Sequence, residues 1–539
     1  MKISVIASLA LLKIAILKSA PKRLYRSTVK TTVFWLACQS AACLAAELPK
    51  KPNIVFILAD DLGWKDLSCY GSYSYKTPNI DRLSREGVRF TQAYAYPSCS
   101  PTRSSLITGM DPARLGITAP VCHQDQVVLE STVPAKAAKW QNLITPIPVT
   151  RLDTKYISFA SILKDAGYVT GHFGKWHLGR EPYSPLQHGF DVDIPHFDGP
   201  GPSGSYIAPW NPKIAAGLKT PEKPGEHLED RMAREASSFI EENKDKQFVL
   251  DYWAFSVHSP LSAKPEYIDK YRAINAGYSP QRSPTYAAMV ESLDDAVGTL
   301  MDTLNKAGIA DRTIVVFLSD NGGLGYWEGG PWNHEFQGTP ATSNTPLRDG
   351  KGWVYEGGVR VPLIVKWPSV VKPDSISNAL VSSQDLYPTF LEMGGARPVK
   401  DQPLDGMSIV PVLKGEKPAI RKDVYCVSPQ YCLNYMPLVE PPAASVHSGD
   451  WKLIRFYAGN SNSTDRMELY NLKDDIGETF DMSAGMPELT AKLSKELDGY
   501  IASIHAVMPK PNPNYDAKFL APPGKRQPSE PVILPPDGD

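Results

Sequence analysis

The chain has 539 residues, 42% hydrophobic and 21% charged, enough for a large globular domain with a smaller one beside it. Its formal net charge of -1 excludes bulk electrostatic attraction to nucleic acid or an anionic membrane, so any anionic ligand must be held by local cations. With 49 prolines and 39 glycines, the connections are expected to be long, shaped loops.

Residues 1–46 read as a signal peptide. Lys13, Lys18, Lys22, Arg23, Arg26 and Lys30 precede the apolar run TTVFWLACQSAACLAAE, with small residues at a cleavage point near Ala46. The alternative, a membrane anchor, needs a span of ~20 apolar residues, which this run does not reach. Export to the periplasm, cell surface or exterior is expected, with no integral membrane span after processing. The mature chain would keep Cys69, Cys99, Cys122, Cys426 and Cys432, which leaves one thiol without a disulfide partner in an oxidising compartment. If Cys99 is the odd one, the natural pairs are Cys426 with Cys432 and Cys69 with Cys122.

KPNIVFILADDLG opens the fold with six consecutive apolar residues, the pattern of a strand buried on both faces. TPNIDRLSREG reads as a helix with Thr77 as N-cap and Pro78 in its first turn. VRFTQAYAY is a second strand, and SPTRSSLITG a helix led by Pro101, with Cys99 or Ser100 as its cap. Strand and helix patterns go on alternating through YVTGHFGKWHLG, FVLDYWAFSVHSP, the long helix around PTYAAMVESLDDAVGTLMDTL, TIVVFLSDNGG and RVPLIVKWP. The rhythm predicts an α/β fold, a mostly parallel central sheet sandwiched by helices, over residues 47–400. Short strands such as DVYCVS and DWKLIRFY, and one helix near 486–506, predict a smaller C-terminal α+β domain over 401–507. Residues 508–539 form a proline-rich extended tail. The long loops 118–152, 192–226 and 323–350 are candidates for function.

Ligands in open α/β sheets lie beyond the carboxyl ends of strands. NIVFILAD ends in Asp60-Asp61 and TIVVFLSD in Asp320-Asn321, so two strands deliver oxygen-bearing side chains to one rim. Either pair alone could simply begin a turn. Two pairs together, whose carboxylates would repel one another, favour a hard divalent cation, Ca²⁺ or less readily Mg²⁺. Cys99 should reach the same rim. A helix start and Arg103 would favour an anion there and lower the thiol pKa below its usual ~8.5. A soft thiolate nevertheless suits a hard cation poorly, whereas an oxygen species suits it well.

The segment CSPTR followed by LITG resembles the signature of the type I sulfatases, the formylglycine-dependent family of the alkaline-phosphatase-like superfamily. NIVFILADDLG, GKWHLG, LSDNGG, KGWVYEGGVRVPLIV and ELYNLKDDIGE resemble further segments of that family, in its order. The resemblance implies that Cys99 is oxidised to formylglycine by a separate maturing enzyme. Asp60, Asp61, residue 99, Asp320 and Asn321 would then hold one Ca²⁺. The hydrated aldehyde would offer one hydroxyl to attack sulfur and a second whose deprotonation releases sulfate. Arg103 would steady that hydrate, Lys175 would neutralise a sulfate oxygen, and His177 would act as base. His258 and Lys351 would lie at the leaving oxygen. At His258 the match is partial: the family often has a second histidine shortly after, where Leu261 and Ser262 stand here.

The expected substrate is a sulfated carbohydrate, with Lys139, Trp140, His188, Trp210, Trp327, Trp332 and His334 as candidate contacts; loop packing is the bland alternative for each. Rival readings are an arylsulfatase for small aryl sulfates, a phosphate or phosphonate monoester hydrolase on the same fold, and an inactive carbohydrate-binding relative. Two-metal phosphatases place an Asp-His pair after the late strand, where Asp320-Asn321 stands here.

Overall fold

Asn53–Ala59 forms strand β1, and every one of its residues is buried. Ile54, Phe56 and Leu58 face one hydrophobic core, while Val55, Ile57 and Ala59 face another. A strand covered on both faces is what the unbroken apolar run demands. The computed structural model describes residues 51–519 except 222, 275–279, 326–340, 417–420 and 434–438. The expected signal peptide, the end of the tail, Trp327, Trp332 and His334 lie outside the described residues. Among the described residues no helix is long and apolar enough to cross a membrane.

The following strands are β2 (Val88–Tyr94), β3 (Leu143–Ile144), β4 (Val169–Gly174), β5 (Val192–Ile194), β6 (Phe248–Trp253), β7 (Thr313–Ser319), β8 (Arg360–Lys366) and β9 (Ser375–Ser382). All but β3 join one eight-stranded sheet in the order β5-β4-β6-β1-β7-β8-β2-β9. Every neighbouring pair is parallel except those made by β8, which runs against both β7 and β2. The rim therefore receives the carboxyl ends of β1, β2, β4, β6 and β7 together with the segment that enters β8. One face of the sheet is covered by helices Leu228–Asn243 and Pro284–Lys306, the other by Phe159–Asp165 and Leu386–Met393. Ile409, Val410 and Leu413 still pack into the second of these cores.

Helix Pro78–Arg85 has Thr77 as its N-cap residue but no capping bond from the Thr77 side chain. Its first N–H groups instead donate to Asp294 of the long helix, Asn79 N at 3.1 Å and Ile80 N at 2.8 Å. The tertiary contact thus replaces the local cap that sequence suggests.

A four-stranded antiparallel sheet follows, made of Asp423–Ser428, Ala443–Ser448, Trp451–Phe456 and Arg466–Asn471. One of its faces packs on helix Pro487–Ser503 through Val446, Leu453, Leu493 and Leu497. Ala443, Ile454 and Phe456 on the other face pack on Tyr94, Tyr96, Val354 and Tyr355, the chain flanking Cys99 and Lys351. Beyond this helix the chain docks back on the 138–144 segment. Lys510–Pro511 pairs antiparallel with β3, and Asn512 Nδ2 donates to the carbonyls of Ala138 and Gln141.

The expected Cys69–Cys122 disulfide is absent: both are thiols. Cys69 packs on the core of one sheet face and Cys122 within the other, so the sheet itself separates them. The Cys426–Cys432 pair falls on a side chain outside the described residues.

Candidate active site

The rim gathers the residues expected there. Asp60, Asp61, Cys99 and Asp320 are buried, and each offers a ligand atom within 4.8 Å of the others. Asp60 and Asp61 directly follow β1, and Asp320 and Asn321 directly follow β7; the register Ala59–Ser319 keeps the two ends level. Asp61 adopts φ 61°, a left-handed turn that reverses the chain beside the neighbouring acid. Asn321 Nδ2 donates to Asp61 Oδ1 at 2.9 Å, while its carbonyl oxygen is buried with no hydrogen-bond partner among the described residues.

Three cations neutralise these acids. Lys175 Nζ lies 2.6 Å from Asp60 Oδ2, and Lys351 Nζ 2.8 Å from Asp61 Oδ2. Arg103 donates from Nε and Nη2 to Asp320 Oδ2 at 3.0 and 2.9 Å, and its guanidinium lies over the Trp253 ring. His258 Nε2 stands 3.8 Å from Asp61 Oδ2, with Nδ1 donating to Ser259 O at 2.6 Å. Lys175 arrives through the close approach of β4 and β6. Gly174 at φ +112° leaves no room for a Cβ, which would sit 2.0 Å from Trp253 O, and Lys175 N donates to that same carbonyl.

The electrostatics are uneven. Burial raises Asp61, but the charge and hydrogen bond of Lys351, with the charge of Lys175, outweigh it and hold the carboxyl well below the usual range. Burial, then the charge of Asp60, pushes Asp320 up to about 6. Burial, with Lys351 and Lys175, drives His258 down to about 3, and burial, with Lys175, holds His177 well below its ordinary value. Both imidazoles are therefore neutral at pH 7.

Two expectations about Cys99 need correction. The helix is Cys99–Thr108, so Ser98 is the N-cap and Cys99 the first helical residue, while Pro101 lies further inside. The thiol is not acidified. Burial pushes it up to about 12, because desolvating a thiolate outweighs the attraction of Lys175 and Lys351. Its sulfur points at Asp60 Oδ1, 3.6 Å away. A protonated, buried thiol among carboxylates is a poor nucleophile and a poor ligand, so the unmodified side chain has no evident chemistry here.

The loop candidates fare differently. His188 is buried, packs on Trp176 at 5.5 Å between centroids and bonds to Leu152 O through Nε2. Trp210 is buried and donates to Tyr206 O. Both belong to the packing that shapes their loops, not to an exposed binding surface. Trp140 packs on Tyr431 with the rings tilted by 59°, and Lys139 lies over Phe519 of the tail. Sequence reasoning passed over His123, which reaches His177 from the 118–152 loop. A lone histidine in a loop carries no spacing signal that could have flagged it.

The donor set fits a hard divalent cation. Three carboxylates and an orphaned amide oxygen converge, the all-oxygen set such an ion takes.

Comparison with known proteins places these features in context. The sulfatase family profile matches residues 52–396, and a profile described as N-sulphoglucosamine sulphohydrolase, C-terminal, matches 349–503. The chain is 31% identical over 530 residues to a sulfatase of Formosa agariphila, covering 85% of this chain and 90% of that one. It is 33% identical over 395 residues to N-acetylgalactosamine-6-sulfatase of Rattus norvegicus, covering 69% and 67%. The crystal structure of Ps i-CgsB in complex with k-i-k-neocarrahexaose matches with TM-score 0.67 at 29% identity, covering 84% and 93%.

Proposed function

The chain belongs to the sulfatase family of sulfuric ester hydrolases, and on that premise we propose that it removes sulfate from a glycan outside the cell. The carrying observation is the convergence of Cys99 with three carboxylates and an unpartnered amide oxygen beside two lysines and an arginine. The sugar assignment draws on the relatives, one named for N-acetylgalactosamine 6-sulfate and one crystallised with a neocarrahexaose.

Asp60, Asp61, residue 99, Asp320 and Asn321 would hold one Ca²⁺, which supplies Lewis-acid polarisation and neutralises the carboxylates. Formylglycine at position 99, installed by a maturing enzyme, supplies in its hydrated form the attacking hydroxyl and the second hydroxyl needed to free the sulfate.

The remaining work falls to this chain's own side chains. Lys175 pairs with a sulfate oxygen and Lys351 lies at the leaving oxygen once the acids they now neutralise are otherwise balanced. Arg103 is fixed by Asp320 and by its bond to Lys175 O, so it orients residue 99 without moving. His177, neutral, accepts a proton from residue 99. His258 keeps Nδ1–H on Ser259 O and so turns Nε2 toward the site. The neutral Nε2 carries no proton to give, so the proton for the departing alkoxide comes from the Lys351 ammonium, which is left as an amine; general-acid assistance of this kind is typically worth ~10²–10⁴ in rate.

Two measurements test the reading. The peptide containing residue 99 should be about 18 Da lighter than encoded, CHO replacing CH₂SH, a loss that ordinary thiol oxidation does not give. The matured protein should release sulfate from at least one member of a sulfated-glycan panel in preference to a small aryl sulfate. Full conversion with no sulfate freed from any glycan defeats the substrate assignment.

A further inference from the structure

His123 Nδ1 lies 2.9 Å from His177 Nε2, with the ring centroids 5.1 Å apart. A hydrogen bond between two imidazole nitrogens holds one proton between them, so a proton on the facing nitrogen of one ring requires a lone pair on that of the other. The second nitrogen of His177, Nδ1, is buried without a hydrogen-bond partner among the described residues. Nδ1 is therefore the nitrogen that His177 can offer a reacting group, and His123 decides whether it carries a lone pair or a proton.

The contact is supported from both sides. Arg151, 1% exposed, donates to Cys122 O at 2.9 Å and also to Gln124 O. Arg180 Nη2 donates to the carbonyl of His123 itself at 3.1 Å and is held in turn by Asp125 and Asp198. Three successive carbonyls are thus fixed by guanidinium groups. Burying a guanidinium to hold main chain is costly unless the held conformation matters. On the opposite side, His177 adopts φ 56°, and its carbonyl accepts from Ser100 Oγ at 2.9 Å, next to the nucleophile position.

We propose that His123 is a positioning residue for the sulfatase reaction: it accepts the Nε2 proton of His177, keeps His177 Nδ1 as a lone pair, and takes over that proton when His177 gains one. In the relay a proton reaches His177 Nδ1, the Nε2–H bond breaks and a bond forms from that hydrogen to His123 Nδ1. The positive charge leaves a ring close to the Lys175 and Arg103 cations for one whose loop is flanked by Asp125 as well as Arg180. The catalytic consequence rests on the sulfatase reading, whereas the tautomer does not.

The test is long-range ¹H–¹⁵N spectroscopy of the full chain labelled at its 10 histidines. Wild type should show His177 in a single Nε2–H tautomer. His123→Phe, which keeps a ring but removes the acceptor, should give a tautomer mixture. His123→Asn, whose Oδ1 can take the place of Nδ1, should restore the single form. On a sulfate ester that wild type hydrolyses, His123→Phe should lower kcat about tenfold with KM within about twofold and displace the pH profile, and His123→Asn should recover both. Identical His177 spectra in wild type and His123→Phe overturn the inference. A wild type that frees no sulfate overturns the glycan sulfatase reading instead, and the spectra still decide this one.

Discussion

Two clusters of opposite charges are buried in this chain, and they differ in what they leave without a partner. Where the small sheet meets the segment after Lys351, Lys452 Nζ lies 2.9 Å from both Glu356 and Glu478, and Arg360 and Tyr94 complete the shell of Glu356. Burial raises both acids; Lys452 and Arg360 prevail at Glu356 and hold it at about 2, whereas burial prevails at Glu478 and pushes it up to about 7. At the rim three acids meet three cations and Asp320 is likewise pushed up, to about 6, but there Asn321 also leaves an amide oxygen with no donor or cation on it among the described residues. The first cluster is a joint between layers. The second has ligand atoms converging on a common point. Buried charge by itself does not mark a site; convergence of acceptors that lack a partner does.

The comparison can be broken most forcefully at the rim. Cys99→Ser should fold with an unchanged melting temperature and lose more than about 10³-fold in kcat, because one hydroxyl cannot both attack and release. Sulfate release and a thermal scan on the same preparation check this. At the joint, Lys452→Met should do the reverse. It leaves two buried carboxylates without their shared cation and should cost roughly 3–5 kcal/mol of stability, read as a lowered denaturant midpoint. If Lys452→Met proves harmless to stability, the joint is not structural.

Ion binding sharpens the distinction. Added Ca²⁺ at a hundredfold excess over its Kd should stabilise the protein by about 2.7 kcal/mol, and Asp320→Asn should abolish that gain while Lys452→Met leaves it intact. A smaller effect is expected at Asp251 in β6, whose two oxygens are buried without a partner among the described residues and whose carboxyl burial pushes well above 3.8. The folded chain holds a proton there that the unfolded chain loses above about pH 4, so stability falls as pH rises from that point until the folded carboxyl ionises. Asp251→Asn should flatten this slope, by at most about 1.4 kcal/mol per pH unit, in melting curves from pH 5 to 8.

What sequence conveys here follows the range of the forces involved. β1 and β7 are legible because burial on both faces needs an unbroken apolar run, and their acids because strand ends meet at a rim. The rim residues Arg103, Lys175, His177, His258 and Lys351 sit in segments that resemble a family, and the structure brings them together. His188 and Trp210 read as exposed contacts because a loop's composition does not reveal how deeply it is tucked. His123 gives no signal because its placement depends on Arg151 and Arg180, distant residues that bind main chain rather than side chain. Asp294, which serves the start of helix Pro78–Arg85, belongs to the same class.

The docked tail ties the end of the chain to a loop made much earlier. Residues 138–142 have their carbonyls engaged by Asn512 and Asp516, and β3 gains its partner strand only from Lys510–Pro511. During synthesis the Lys139–Trp140 loop must therefore await partners made far later, first Tyr431 and then the segment around Asn512, with 371 positions separating Asn512 from Gln141.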